Sequence, residues 1–325
     1  MIIPTSREIV RRAWEAQTAI PSFNVPHLPM MEPIIRALRD TETLGQVSVA
    51  RVEWKRFGSG GIRPIFEEYQ RVKDERTVRL HLDHIPVIDE EDERVDYASL
   101  LAEALALGYD SVMVDGSRLS LAENIAVARE VVEMARAGTD PISRHTAEAP
   151  IADAGNGVCP PLSPAVEAEL GAVLGHEAGP LPPYEELFAS AQGFTAVDEA
   201  RRFVHETGVD WLSVACGNIH GAVSGAAKSA KKVQARLNLE HLAKLRDATG
   251  VPLVLHGGSG IERECVLAGI RAGIAKINIG TNVRQPYEAA LAEGVEAAQQ
   301  VVYETVVQLL TEELQVAGSA RRLTN

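Results

Sequence analysis

Three histidines each lie near the end of an apolar, strand-like run, just before a turn. His84 ends VRLHLDH, His220 ends WLSVACGNIH, and His256 lies in LVLHGGSG. Imidazole nitrogen binds zinc readily, and a catalytic zinc has three protein ligands and one position open to a substrate oxygen or water. Histidines so far apart in sequence can share one ion only if the ends of their strands meet. The pattern therefore predicts a metal site with one catalytic ion per subunit, zinc or another divalent metal.

The elements that must bring these histidines together are eight short apolar runs with amphipathic stretches between them. Strand and helix in alternation, eight times, predict an α/β fold, a (β/α)8 TIM barrel rather than an open sheet. Such a barrel gathers the carboxyl ends of all its strands on one face. The predicted strands cover 20–25, 45–52, 78–84, 111–117, 166–173, 211–218, 252–259 and 275–281.

The 325 residues fit one barrel domain over 1–325, since such barrels run to about 250 residues or more. The stretch from about 284 to 325 is predicted as a C-terminal helical extension. Its apolar face indicates packing or a homo-oligomer, a homodimer or a homotetramer. The segment 138–165, rich in Pro and Gly, precedes a strand and is expected on the opposite face of the barrel from the histidines.

Charge and composition exclude several classes of partner. The net charge of −13, from 45 acidic and 32 basic residues, argues against a nucleic-acid surface and against an anionic membrane. The 3 cysteines have no CxxC spacing, which favours a reducing compartment. The N-terminus carries charges where a signal peptide needs an apolar core, and no apolar stretch is long enough to span a membrane. We expect a cytoplasmic protein with a small-molecule partner.

Six motifs, taken together, resemble one enzyme family. They are HLDH (81–84), VMVDGS (112–117), VEAELGxxxGxE (166–177), GxxHG (217–221), LVLHGGSG (253–260) and KINIGT (276–281). In this order, over roughly 20–290, they resemble the zinc-dependent class II ketose-bisphosphate aldolases. The resemblance implies a carbon–carbon lyase of carbohydrate metabolism, such as glycolysis. It would reversibly cleave a ketose phosphate, by default fructose 1,6-bisphosphate, to dihydroxyacetone phosphate and an aldehyde.

The resemblance also implies roles for single residues. The three histidines become zinc ligands, and Glu169 marks an alternative metal position. Asp83 becomes the acid that protonates the aldehyde oxygen, and Glu177 becomes the glutamate of a mobile loop that moves the carbon-bound proton. The Gly-rich turn after His256 suits an anion on physical grounds too, because its N–H groups precede a helix. Contacts with substrate or phosphate are expected from Asn24, Gly221, Gly257, Gly258, Ser259, Asn278, Ile279, Gly280 and Thr281.

Alternation along a strand raises one difficulty for this site. Successive side chains point to opposite faces, so Asp83 and His84 can share a site only if the strand breaks at His84. Lys276 offers a different chemistry, a Schiff base without metal, although a lysine within a strand is more often paired with a carboxylate.

The second strand departs from the family. Where a glutamine and a serine usually face the substrate, this chain has Arg51, Glu53 and Lys55. Tagatose 1,6-bisphosphate, or another phosphorylated or acidic ketose, therefore competes with the default substrate. A non-catalytic sugar-phosphate-binding barrel and a metal-dependent hydrolase also stay open. The acidic run 89–93 is expected to be a solvated helix start, favourable to the helix dipole.

Overall fold

The computed structural model describes residues 3–137, 163–171, 183–218 and 235–324. Eight parallel strands close into a barrel in chain order, each hydrogen-bonded to the next and β8 to β1. The predicted (β/α)8 barrel is confirmed, and each predicted run overlaps one strand. The strands are β1 Ile20–Asn24, β2 Gly45–Ala50, β3 Val78–Pro86, β4 Ser111–Asp115, β5 Ala165–Leu170, β6 Trp211–Val214, β7 Leu253–Leu255 and β8 Ile274–Ile279.

Helices surround this barrel and bury apolar side chains against it. The helices are α1 Ser6–Glu15, α2 Met31–Asp40, α3 Arg51–Arg56, α4 Ile62–Val72, α5 Tyr97–Leu107, α6 Leu121–Ala137, α7 Tyr184–Ser190, α8 Val197–Thr207, α9 Leu239–Thr249, α10 Arg263–Ala272, α11 Thr281–Ala290, α12 Val295–Gln308 and α13 Ser319–Thr324. Two 3-10 turns, Leu28–Met30 and Leu291–Glu293, and a π-helical segment, Leu309–Glu313, complete the described elements. None of the helices in these ranges has the length and apolarity needed to cross a membrane.

Helix α1 closes the amino-terminal end of the barrel. Thr5 and Glu8 form a reciprocal capping box that starts the helix, as the sequence TSRE predicts. The buried side chains Ile9 and Val10 then pack with Trp211 and with the first residues of several strands in a second, smaller apolar cluster. This end of the barrel is therefore sealed by apolar packing, and the histidines and their carboxylates lie at the other end.

Strand β3 carries an irregularity that decides where its side chains point. Leu82 pairs with Val112 and Ile85 with Val114, so β3 has one more residue than β4 between these two pairs. His84 has a φ of 33°, a conformation that residues other than glycine rarely adopt. The expected break at His84 is present as an irregularity, although the strand does not end there and β3 continues to Pro86. A bulge within the strand instead turns His84 towards the side that Asp83 faces.

The segment 138–165 cannot be compared with its expected position, because 138–162 lie outside the described residues.

A substitution in α1 should lower the free energy of unfolding without changing any residue of the site at the other end of the barrel. Ile9→Ala leaves a cavity in the apolar cluster at the amino-terminal end, and we expect it to lower the free energy of unfolding by about 2–5 kcal/mol. Denaturant titration followed by circular dichroism measures this loss. Arg11→Ala, on the exposed face of the same helix, should stay within about 0.5 kcal/mol of the parent. Equal losses in both variants would contradict the proposed role of this packing.

Candidate active site

The two described histidines of the predicted metal site meet at the carboxyl ends of the strands. His84 Nε2 lies 2.7 Å from His256 Nδ1, and the two rings pack edge to face with centroids 4.4 Å apart. Glu169 Oε2, from β5, lies 3.9 Å from His84 Nε2. Asp83 belongs to the same cluster, because one oxygen of its carboxylate lies within 4.8 Å of a nitrogen of each histidine. The structure thus brings together Asp83, His84, Glu169 and His256.

Each histidine contacts a carboxylate through the ring nitrogen that faces away from the other histidine. His84 Nδ1 lies 3.4 Å from Asp115 Oδ2, and His256 Nε2 lies 2.8 Å from Glu167 Oε1. Because a carboxylate accepts, each ring carries a proton on its far nitrogen. The facing nitrogens share one proton when His84 is charged, with Nε2 donating to His256 Nδ1, and a divalent cation can take the place of that proton and accept a lone pair from each ring. Metal-ligating histidines are oriented in this way, so these residues fit a divalent cation.

The electrostatics of the cluster also favour positive charge. Burial alone would lower the pKa of His84, but Asp83, Asp115 and Glu169 raise it to about 10. Burial alone would raise the pKa of Asp115, but its hydrogen bond to His84 and the charge of that ring lower it to about 2. Burial, together with the charge of Asp115, raises the pKa of Glu169 to about 8. A cation held here would keep these carboxylates ionised.

Three predicted site residues lie outside the described residues: His220, Gly221 and Glu177. The third zinc ligand and the loop glutamate therefore stay predictions.

Asp83 is buried and held in a fixed orientation by two amides. Asn24 Nδ2 donates to Oδ2 at 2.9 Å, and Asn278 Nδ2 donates to Oδ1 at 2.8 Å. Burial would raise the pKa of Asp83, but the positive charge of His84 and the ring of His81, whose Nε2 lies 3.7 Å from Asp83 Oδ1, hold it well below its usual range. Asp83 is therefore an ionised, preoriented hydrogen-bond acceptor.

Glu167 lies inside the barrel below these residues and was not predicted from the sequence as a site residue. Besides His256, its carboxylate contacts Lys276 Nζ at 2.8 Å and accepts from Trp211 Nε1 at 2.5 Å. Lys276 also donates to Asn278 Oδ1 at 2.6 Å. This pairing fits the ordinary reading of Lys276 as the partner of a carboxylate rather than a Schiff-base nucleophile.

Alternation could have revealed Glu167, since it precedes Glu169 by two residues on one strand and so faces the same side. Asp115 offers a similar signal, because it ends β4 much as Asp83 lies near the end of β3. Both residues orient histidines, and a search that counts only metal ligands does not look for residues in that role.

The predicted phosphate contacts lie in the neighbouring loops after β7 and β8. Gly257, with a φ of 64°, begins the loop that contains Gly258 and Ser259, and Gly280 immediately precedes α11. Ser259 Oγ donates to Asn282 Oδ1 at 2.8 Å, which joins the two loops. Barrel enzymes frequently bind phosphate between the loops after strands seven and eight. Of this predicted set, the remaining described positions are Asn24 on β1, Asn278 and Ile279 on β8, and Thr281 at the start of α11.

The polar residues after β2 are held by the acidic run. Arg51 donates to Asp89 Oδ2 at 2.9 Å, and Lys55 donates to Glu91 Oε2 at 3.0 Å. Asp89 is only 2% exposed and also accepts from two backbone N–H groups. Glu91, Asp92 and Glu93 are solvated as expected, but the expected helix start is wrong, since α5 begins at Tyr97 and the buried Asp89 instead anchors the loop.

Glu53 stands apart from these ion pairs and is directed to Asn24. Its Oε2 accepts from Asn24 Nδ2 at 3.1 Å and from the backbone N–H of Ala50 at 2.9 Å. Burial raises the pKa of Glu53 to about 7, and the charge of Asp83 acts in the same direction. Glu53 is thus the carboxyl group of the second-strand region that borders Asp83.

A closed barrel that gathers histidines and carboxylates at the carboxyl ends of its strands has the layout of an enzyme, and these residues could hold a metal ion. Comparison with known proteins gives the family. The profile described as class II fructose-bisphosphate aldolase matches residues 4–139 and 157–322. The chain belongs to this family of aldolases, as the motifs indicated.

Curated relatives and a solved structure show that the chain is a divergent member. It is 30% identical over 295 residues to a 6-phospho-5-dehydro-2-deoxy-D-gluconate aldolase from Halalkalibacterium halodurans, covering 90% of this chain and 84% of that protein. It is 31% identical over 284 residues to a fructose-bisphosphate aldolase from Streptococcus pneumoniae, covering 86% and 80%. The crystal structure of the YdjI aldolase from Escherichia coli K12 matches with a TM-score of 0.69 and 25% identity, covering 98% and 100%.

The carboxylate behind His84 should control metal affinity. In Asp115→Asn the acceptor that fixes the ring is weakened, and we expect metal affinity to fall by about 10- to 100-fold. Competition with a chromogenic chelator measures the dissociation constant directly. Ser117→Ala removes another partner of the same carboxylate and serves as the control, with affinity close to the parent. Unchanged affinity in Asp115→Asn would remove this residue from the metal site.

Proposed function

We propose that the protein is a zinc-dependent aldolase that reversibly cleaves a ketose phosphate to dihydroxyacetone phosphate and an aldehyde. The observation that carries the proposal is the pair of facing ring nitrogens of His84 and His256, each oriented by its own carboxylate, next to the anchored carboxylate of Asp83. Membership in the family supports the reaction type. His220 is proposed as the third zinc ligand and Glu169 as the alternative one.

The cleavage needs a base for a hydroxyl proton and a place for an electron pair. Asp83, ionised and held by Asn24 and Asn278, accepts the proton of the hydroxyl group on the carbon that becomes the aldehyde. The carbon–carbon bond then breaks, the hydroxyl oxygen becomes the aldehyde carbonyl, and the electron pair moves to the carbon next to the ketone. A divalent cation supplies Lewis-acid stabilisation of that negative charge when bound.

The second proton transfer completes the reaction. Glu177 is proposed to deliver a proton to the carbon that received the electron pair, which releases dihydroxyacetone phosphate. In the direction of synthesis, the same two groups act in reverse, so that Asp83 returns its proton to the aldehyde oxygen. Asp83 thus exchanges a proton with the oxygen of the aldehyde, and Glu177 exchanges a proton with the carbon next to the ketone.

The phosphate of the ketose is proposed to bind between the loops after β7 and β8. Gly257, Gly258 and Ser259 offer backbone N–H groups without bulky side chains, and the ten-residue α11 begins at Thr281. Backbone N–H groups at a helix start favour an anion. Fructose 1,6-bisphosphate is the first substrate to assay, because a relative named for it matches most of the chain.

Removal of the metal tests the proposal as a whole. Dialysis against a chelator should abolish cleavage of ketose phosphates, and added zinc should restore it. His256→Ala should lose most of the bound metal, as measured by elemental analysis, because it removes a ligand and frees the buried Glu167. Activity that survives the chelator, but is abolished by borohydride with substrate, would instead implicate Lys276. Unchanged metal content in His256→Ala would show that the ligand assignment is wrong.

The two proposed proton transfers can be separated by partial reactions. Asp83→Ala should slow carbon–carbon cleavage by about 100- to 10,000-fold but preserve hydrogen exchange at the carbon of dihydroxyacetone phosphate. Glu177→Ala should suppress that exchange, as followed by NMR in deuterated water. Metal content is measured in parallel as the control. Equal loss of both reactions in both variants, with zinc retained, would contradict separate roles.

A further inference from the structure

We propose that the barrel rim beside β1 and β2 receives an uncharged, hydroxylated end of the ketose, and that Glu53 hydrogen-bonds one of its hydroxyl groups. The substrate class is then a ketose monophosphate rather than a bisphosphate. The inference rests on the proposed aldolase function and concerns only the half of the substrate that leaves as the aldehyde.

The position of Glu53 relative to Asp83 is the first step. One atom, Asn24 Nδ2, donates both to Asp83 Oδ2 at 2.9 Å and to Glu53 Oε2 at 3.1 Å. A single amide group therefore separates Glu53 from the carboxylate that exchanges a proton with the aldehyde oxygen. The carbons next to that oxygen must lie close to Glu53. Both hydrogen bonds of Glu53 end on Oε2, and nothing in the described part of the chain donates to Oε1.

The charges at this rim are the second step. A second phosphate binds most strongly where free cations make charge-assisted hydrogen bonds with it. Three cations of this rim already have a carboxylate partner, in the pairs Arg51–Asp89, Lys55–Glu91 and Arg284–Glu288, at 2.9, 3.0 and 2.6 Å, and Arg56 at the end of α3 is exposed to solvent. Arg284 belongs here because its guanidinium lies 4.9 Å from the ring centroid of Phe57, just after α3.

These ion pairs change the interpretation of the second-strand residues. Arg51 and Lys55 were expected to favour an acidic or phosphorylated aldehyde, but their charges are neutralised by the loop after β3. The carboxyl group that remains beside Asp83 is an acceptor for hydroxyl groups and an unfavourable neighbour for phosphate. The same side chain also accepts the Ala50 N–H at the start of α3, so the test must separate specificity from helix capping.

The experiment uses synthesis with dihydroxyacetone phosphate and three matched aldehydes. Glyceraldehyde, glyceraldehyde 3-phosphate and lactaldehyde differ only at the far carbon, which carries a hydroxyl, a phosphate or a hydrogen. We expect the parent enzyme to show the highest kcat/KM with glyceraldehyde. In Glu53→Gln the preference for glyceraldehyde over lactaldehyde should shrink by about 10- to 100-fold, the usual value of a hydrogen bond to a charged group. Glu67→Gln, an exposed carboxylate on α4, is the control and should keep the parent preference.

The outcomes are distinguishable from failure of the proposed function. Hydrogen exchange in dihydroxyacetone phosphate without any aldehyde reports the aldolase chemistry alone. Normal exchange with a clear preference for glyceraldehyde 3-phosphate would overturn the inference and leave the aldolase in place. Equal losses with all three aldehydes in Glu53→Gln, together with a lower melting temperature, would assign Glu53 to helix capping and also overturn it. If the protein catalyses neither the hydrogen exchange nor the condensation, both proposals are overturned.

Discussion

The contact between buried carboxylates and imidazole rings is the constraint on which the site depends. Asp115 and Glu167 each hold one histidine by its far nitrogen, and Lys276 balances the charge of Glu167. Burying several carboxylates costs free energy unless each is paired. Here each pairing also fixes the direction of a ring, so the electrostatic requirement and the geometric requirement are met by the same groups. The facing nitrogens are a consequence of that arrangement.

The barrel is the reason that this arrangement can exist. Its strands come from all parts of the chain, yet their carboxyl ends meet on one face, where the closed sheet leaves no backbone edge unpaired. The apolar packing of α1 at the opposite end seals the interior there. Polar groups such as His81, Glu167 and Lys276 are then enclosed, and they find their partners among one another and the neighbouring polar side chains of the interior.

The sequence predicts the barrel, the family and the meeting of His84 with His256. It can do so because the spacing of apolar residues and the motifs at strand ends are local signals. The orienting roles of Glu167 and Asp115 could not be predicted, since the partner of a buried carboxylate depends on strand register. Likewise, Arg51 and Lys55 look like free cations in the sequence, and only the folded loop shows that Asp89 and Glu91 neutralise them. Charge pairing between distant segments leaves no pattern in a single chain.

The extra residue in β3 has a consequence for the evolution of such sites. His84 reaches the interior only because the strand contains one residue more than its neighbour, at a backbone angle that costs free energy for a histidine. In a regular strand the imidazole at this position would point outwards, to the surrounding helices, because successive side chains alternate between the two faces. A scaffold with the same ligands but a regular third strand would therefore lack the site. The extra residue is therefore as much a part of the proposed metal site as the ligands are.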